Sequence, residues 1–344
     1  MSVERTRKKP PLRAAPPLKR RSRWLFLLIV PIMVMAGLLA NGSTRGKLNP
    51  LTRSATSAAT AATRSDGGRA IDPSYFVSGA CMSFPPTSGK RHLTVFLDAG
   101  HGGLDPGGVG ETESGQHIDE STINLPIELD TMATLRAEGF RVVVSRTKNT
   151  SVIKLGPGDT DGQLLSLQGS HDDVAARDVC ANKADADLLV GIYMDAGASP
   201  DNAGSVATYD ADRPFSVANL EFATLLQNDV LAAMNAQGWD IPNDGVVSDA
   251  TEGSSVGDPA EGGLAAEAAN YDHLMLLGPA SPGYFTTPSN MPGAVIEPFF
   301  LTDPFEGSIA VSTSGQEVVA EGIALAIEQY FAPASTHPGA STAG

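Results

Sequence analysis

Three short stretches of this chain hold residue types suited to acid–base or metal chemistry. The first is Leu97-Asp98-Ala99-Gly100-His101-Gly102-Gly103, followed by Asp105-Pro106-Gly107-Gly108. A histidine in a loop of such small residues has open space around its ring. The plain alternative is a tight glycine turn with an incidental histidine. No GxxxxGK[ST] pattern follows, so the glycines do not mark a phosphate loop. The second is Glu120, which opens Glu120-Ser121-Thr122-Ile123-Asn124. An acidic residue in a first helical turn ordinarily complements the helix dipole. The third is Glu297 within Ala294-Val295-Ile296-Glu297-Pro298-Phe299-Phe300. A carboxylate inside an apolar strand is costly to bury. It therefore needs a partner, a metal, or work as an acid or base with a raised pKa.

The surrounding pattern alternates strand and helix. Residues 92–99 read as a buried strand, 120–138 as a helix closed by Gly139, and 140–145 as a second strand. Residues 171–183 read as a helix, 187–193 as a third strand, and 204–209 as a fourth. A long helix follows over about 216–236, then the buried runs 274–278 and 294–300, and a closing helix over 315–331. This order predicts an α/β fold around a largely parallel twisted sheet flanked by helices. Sites in such sheets gather at the carboxyl ends of strands, which draws attention to Asp98–His101, Tyr193–Asp195 and Glu297. Residues 238–272, rich in Gly, Asp, Glu and Ser, read as an acidic insertion without regular structure.

Taken together, LDAGHGG-x-DPGG, a Glu nineteen residues after the His, R-x₄-N-x-A-D-A-D before a strand, and a late V-I-E-P-F-F strand resemble a known family. They look like the zinc-dependent N-acetylmuramoyl-L-alanine amidases of bacterial cell walls, with the likeness running from about Leu93 to Tyr330. The resemblance implies cleavage of the amide between the lactyl group of muramic acid and the first L-alanine of the stem peptide. It implies a zinc ion held by His, Glu and His, with a second Glu as general base. His101 and Glu120 match the first two ligands, and Glu297 matches the base. The family's third ligand lies in Ser-Ile-His-Ala-Asn, where this chain has Gly191-Ile192-Tyr193-Met194-Asp195. Tyr193 thus stands in the third-ligand position, with a phenol whose usual pKa near ~10 makes it a poorer ligand than imidazole. Four outcomes are open: Tyr193 ligates as phenolate, Asp195 turns in, another His supplies the nitrogen, or zinc is not held. His117 is the local alternative, three residues before Glu120, where one helical turn would bring both to the metal. The competing function is a catalytically silent peptidoglycan-binding module of the same fold.

Composition limits the partners and the location. The chain has 344 residues and a formal charge of −15. Residues 1–23 carry nine Lys or Arg against the single Glu4, a net of +8, which leaves the remainder near −23. So acidic a body repels nucleic acid. Trp24–Ala40 is a run of seventeen residues without a charge. At ~1.5 Å per residue it spans roughly 26 Å, a little short of a ~30 Å hydrocarbon core but workable for a membrane helix with Trp24 at the interface. The basic leader on its N-terminal side predicts a single-pass anchor in the cell membrane, residues 1–23 cytoplasmic and the rest extracytoplasmic. A cleaved signal peptide is the competing reading, against which stand the long leader and the lack of a small-x-small site. Residues 41–72 read as a flexible linker, 73–332 as one folded domain, and 333–344 as a tail. The two cysteines, Cys81 and Cys180, are expected to pair in such a compartment.

Overall fold

A computed structural model describes residues 67–252 and 271–333. The expected leader, anchor, most of the linker, residues 253–270 and the tail lie outside them. Among the described residues no helix is long and apolar enough to cross a membrane.

The strands are β1 (Arg69–Ala70), β2 (Ala80–Phe84), β3 (Thr94–Ala99), β4 (Val109–Glu111), β5 (His117–Asp119), β6 (Arg141–Arg146), β7 (Thr160–Asp161), β8 (Leu164–Leu165), β9 (Leu188–Ile192), β10 (Ser205–Tyr209), β11 (Asn243–Ser248) and β12 (Gly293–Glu297). The longer helices are α1 (Glu120–Ala137), α2 (Leu167–Lys183), α3 (Ser216–Asn235), α4 (Pro304–Ala310) and α5 (Thr313–Tyr330). Eight strands form one sheet in the order β1-β2-β6-β3-β9-β12-β10-β11, while β4–β5 and β7–β8 are separate small hairpins. The four central strands are mutually parallel. Antiparallel pairing enters at β12–β10 and at β6–β2–β1. The sheet is therefore mixed, with a parallel centre, because βαβ connections build only the middle and the flanking strands return by other routes.

The central strands are buried on both faces, which is why they read as unbroken apolar runs. Side chains alternate between two cores. Val95, Leu97, Val142, Val144, Val190 and Ile296 face α1, α3 and α5. Phe96, Val143, Leu189 and Val295 face α2 together with Cys180, Cys81 and Phe76. Cys81 and Cys180 form the expected disulfide, their Cα atoms 5.6 Å apart, joining β2 to α2. α1 ends where Gly139 adopts φ 94°, a left-handed conformation that glycine takes without steric cost.

Two sequence expectations are corrected. Residues 238–272 are not wholly irregular: Asn243–Ser248 forms β11, parallel to β10 at the sheet edge. Val246 and Val247 supply too short an apolar signal to register among the surrounding Gly and Asp. His117 is not in a helical turn leading into α1. It lies in β5, opposite Glu111 of the β4–β5 hairpin.

Candidate active site

β3, β9 and β12 are parallel neighbours whose carboxyl ends lie side by side. His101 stands two residues beyond β3 at φ 59°, in the left-handed region that a residue with a Cβ seldom enters. Such local strain collects at functional sites. Its Nε2 lies 3.2 Å from Glu120 Oε2 and its Nδ1 2.8 Å from Asp105 Oδ2. Asp105 orients the ring and leaves Nε2 pointing at the glutamate, the usual arrangement behind a metal-ligating histidine.

Glu120 does more than complement the α1 dipole. It is buried, and both of its oxygens are held. Oε1 accepts from Asn124 Nδ2 and from the Met194 amide, each at 2.9 Å, and Oε2 accepts from the Gly108 amide at 2.7 Å. The close approach explains one of the glycines. A Cβ on Gly107, itself at φ 72°, would lie 2.6 Å from both Glu120 Oε2 and the His101 ring.

The charges support one another. Burial disfavours the charge on His101, yet Glu120 and Asp105 outweigh it and raise the imidazole to about 10. Burial likewise works against Glu120 and Asp105, and the His101 charge holds both carboxyls below their ordinary values. Beneath the site, Glu128 on α1 accepts from the Ala99 and Ser145 amides at 3.1 and 3.0 Å. Burial pushes its carboxyl up to about 8.

Tyr193 lies beside His101 but its hydroxyl points elsewhere. The two rings meet edge to face with centroids 5.4 Å apart. The phenol donates to Asp98 Oδ2 at 3.0 Å. Burial and the Asp98 charge push its pKa well above the ordinary value, so in this arrangement it stays a neutral phenol. The Asp98 Oδ1 atom pairs with Arg177 Nη1 at 2.6 Å, and Arg177 Nη2 pairs with Asp173 Oδ2 at 2.9 Å. Arg177 also donates to the Ala99 and His101 carbonyls, each at 2.8 Å, and so braces the loop after β3 from α2. Gly100 is required here, because a Cβ would fall 2.3 Å from the Tyr193 ring.

Of the residues singled out by sequence, His101 and Glu120 are in direct contact, and Tyr193 and Glu297 line the same strand ends. Ile192 of β9 pairs with Ile296 of β12, which sets Tyr193 beside Glu297. Glu297 is 3% exposed. Asp195 Oδ1 accepts from the Ala196 amide at 2.6 Å. His117 is exposed and its Nε2 meets Asp119 Oδ1 at 2.8 Å. Asp105, Asn124 and Arg177 were legible only as letters within motifs. The one local signal was the four-residue spacing of Asp173 and Arg177 on a helix, which permits an ion pair. The third acidic group at this pair, Asp105, meets His101 at Nδ1 and not at the Nε2 that faces Glu120.

Known proteins resemble this chain in sequence and in fold. The N-acetylmuramoyl-L-alanine amidase AmiA of Salmonella typhimurium is 26% identical over 250 residues, covering 71% of this chain and 78% of that protein. N-acetylmuramoyl-L-alanine amidase AmiC of Neisseria meningitidis is 26% identical over 246 residues, 70% of this chain and 53% of that longer protein. The fold is also that of the CwlD amidase of Clostridioides difficile, solved in complex with the GerS lipoprotein, with a TM-score of 0.50 at 20% identity over 69% of this chain and 98% of that one. The family profile of N-acetylmuramoyl-L-alanine amidase matches residues 95–329, so this chain belongs to that family of peptidoglycan hydrolases.

Proposed function

We propose that this chain hydrolyses the amide between N-acetylmuramic acid and L-alanine, with Glu297 as general base and a zinc ion held at His101 and Glu120. The observation that carries the reading is the 3.2 Å approach of His101 Nε2 to Glu120 Oε2 at the strand ends beside Glu297. The donor set fits zinc at these two positions, an imidazole nitrogen backed by Asp105 and a carboxylate oxygen. It fits less well at the third, where the Tyr193 hydroxyl is engaged with Asp98. When bound, zinc lowers the pKa of water and polarises a carbonyl.

The chain's own residues do the remaining work. Asp105 keeps the His101 ring in place through Nδ1. Glu297 takes a proton from the attacking water and delivers it to the alanine nitrogen as the amide C–N bond breaks. Asn124 and the Met194 and Gly108 amides fix Glu120 so that it cannot swing away. A cavity of about 350 Å³ lies between Val109–Glu111 on one side and Gly197–Pro200 and Thr302 on the other, and Val109 directly follows Gly108, whose amide holds Glu120. A single-pass anchor at residues 24–40 would hold the domain against the wall.

The silent-module reading is favoured by one observation, the engagement of Tyr193 with Asp98. Release of stem peptides from peptidoglycan by the full chain separates the two. His101→Ala is expected to lose the zinc held at His101 and Glu120 and the activity together. Glu297→Gln is expected to keep zinc and lose about 10²–10⁴-fold in rate. If neither substitution changes zinc content or peptide release, the catalytic reading fails and the binding module stands.

A further inference from the structure

We propose that Asp210, Asp249 and His273 form a second divalent-cation site, separate from His101 and Glu120 and at the opposite end of the sheet. Asp210 follows β10 and Asp249 follows β11. These strands are parallel, with Tyr209 paired to Ser248, so the two aspartates emerge together. β10 runs antiparallel to β12, and Val206 faces Glu297 while Thr208 faces Val295. Asp210 therefore lies near the start of β12, on the order of 13 Å from Glu297 along the sheet at ~3.3 Å per residue. His273 arrives from the buried segment that continues through Leu274–Leu277.

One ligand atom from each of the three residues lies within 4.8 Å of the others. His273 Nδ1 is 2.8 Å from Asp210 Oδ2 and 3.4 Å from Asp249 Oδ2. Both aspartates are essentially inaccessible, with 0% and 1% of their surface exposed. Backbone amides hold each carboxylate in position. Asp210 Oδ1 accepts from Asp212 and Arg213 at 2.7 and 3.0 Å. Asp249 Oδ1 accepts from Ala250 at 2.9 Å, and Asp249 Oδ2 from Leu274 at 3.2 Å. That leaves Asp210 Oδ2, which is buried and has no hydrogen-bond donor. His273 Nδ1 is also buried without a hydrogen bond, because it is close to that oxygen but poorly aligned to donate to it. Arg213, the neighbouring guanidinium, donates to the Leu277, Gly278 and Ser289 carbonyls.

Two buried carboxylates facing one imidazole, with the facing oxygen and nitrogen unsatisfied, are the donors a cation needs. Two carboxylate oxygens and one imidazole nitrogen suit zinc or manganese better than calcium, which takes six to eight oxygens. Asp212 brings a further, exposed carboxylate 3.9 Å from His273 Nε2. An ion here would clasp the ends of β10 and β11 to the segment beginning at Tyr271.

The test is a metal count on the full chain in detergent, stripped with chelator and dialysed against zinc chloride or manganese chloride. It is run in a His101→Ala background so that the other site does not contribute. The His101→Ala chain is expected to retain one ion per chain and to melt at a higher temperature with the ion than without it. Adding Asp210→Asn, which keeps the shape of the side chain, or His273→Ala should weaken binding by at least about 10–100-fold and remove the thermal shift. Failure of the His101→Ala chain to bind either ion overturns the proposal, and so does undiminished binding after Asp210→Asn. Failure of the His101 zinc site is a separate result: the His101→Ala substitution would then leave the ion count of the wild-type chain unchanged.

Discussion

Replacing Tyr193 by phenylalanine separates a structural phenol from a metal ligand. The hydroxyl donates to Asp98 Oδ2 at 3.0 Å, and that carboxylate keeps Arg177 on its other oxygen at 2.6 Å. Tyr193 and Asp98 are both buried, so water does not replace the lost donor readily. A hydrogen bond to a charged acceptor contributes about 1.5–3 kcal/mol. For a domain of this size that corresponds to a fall in Tm of roughly 3–12 °C. Zinc content should be unchanged, because the phenol points away from His101 Nε2 and Glu120 Oε2. Thermal melting and metal analysis of the same preparation read both quantities. Loss of zinc with an unchanged Tm would refute the reasoning, since the hydroxyl would then act on the metal and not on Asp98. Tyr193→His completes the argument. With the two rings only 5.4 Å apart, an imidazole at 193 should tighten zinc binding.

Three further outcomes follow from the packing. Glu128 titrates near 4.5 when unfolded and near 8 when folded, so its contribution to stability is full below about 4.5 and is lost as pH rises through about 8. Glu128→Gln should remove up to about 1.4 kcal/mol of that loss per pH unit, and denaturant titrations from pH 5 to 8 with an unaltered slope would count against it. Replacing Cys81 and Cys180 together by serine opens a link between residues 99 apart in sequence. It should cost up to about 4–5 kcal/mol by chain entropy, measured by urea unfolding, and no change in midpoint would speak against the pairing. Gly107→Ala forces a Cβ into a residue at φ 72° and against the His101–Glu120 contact. It should destabilise by more than about 1 kcal/mol and weaken zinc binding, and equal zinc affinity would show that the two side chains do not need this close approach.

Much of the fold was legible in the letters because it is governed by local periodicity. The runs 94–99, 188–192 and 293–297 are apolar because central parallel strands are covered on both faces, and the helices between them carry their own spacing. Glu297 stood out because a carboxylate in an apolar strand conflicts with local packing, whereas His101 and Glu120 were singled out as ligands only by the order of motifs that resembles the amidase family. What sequence could not decide is where a side chain turns once it is in place. Tyr193 stands at a ligand position along the chain, yet its hydroxyl follows the stronger acceptor, Asp98, which is 95 residues away. His117 is three residues from Glu120 but sits on an exposed hairpin strand. Asp210, Asp249 and His273 carry no shared motif, and only the parallel pairing of β10 with β11 and the return of the chain at Tyr271 bring them together. Contacts of this kind depend on strand register and on which buried groups find partners, and those are properties of the assembled fold and not of any single window of residues.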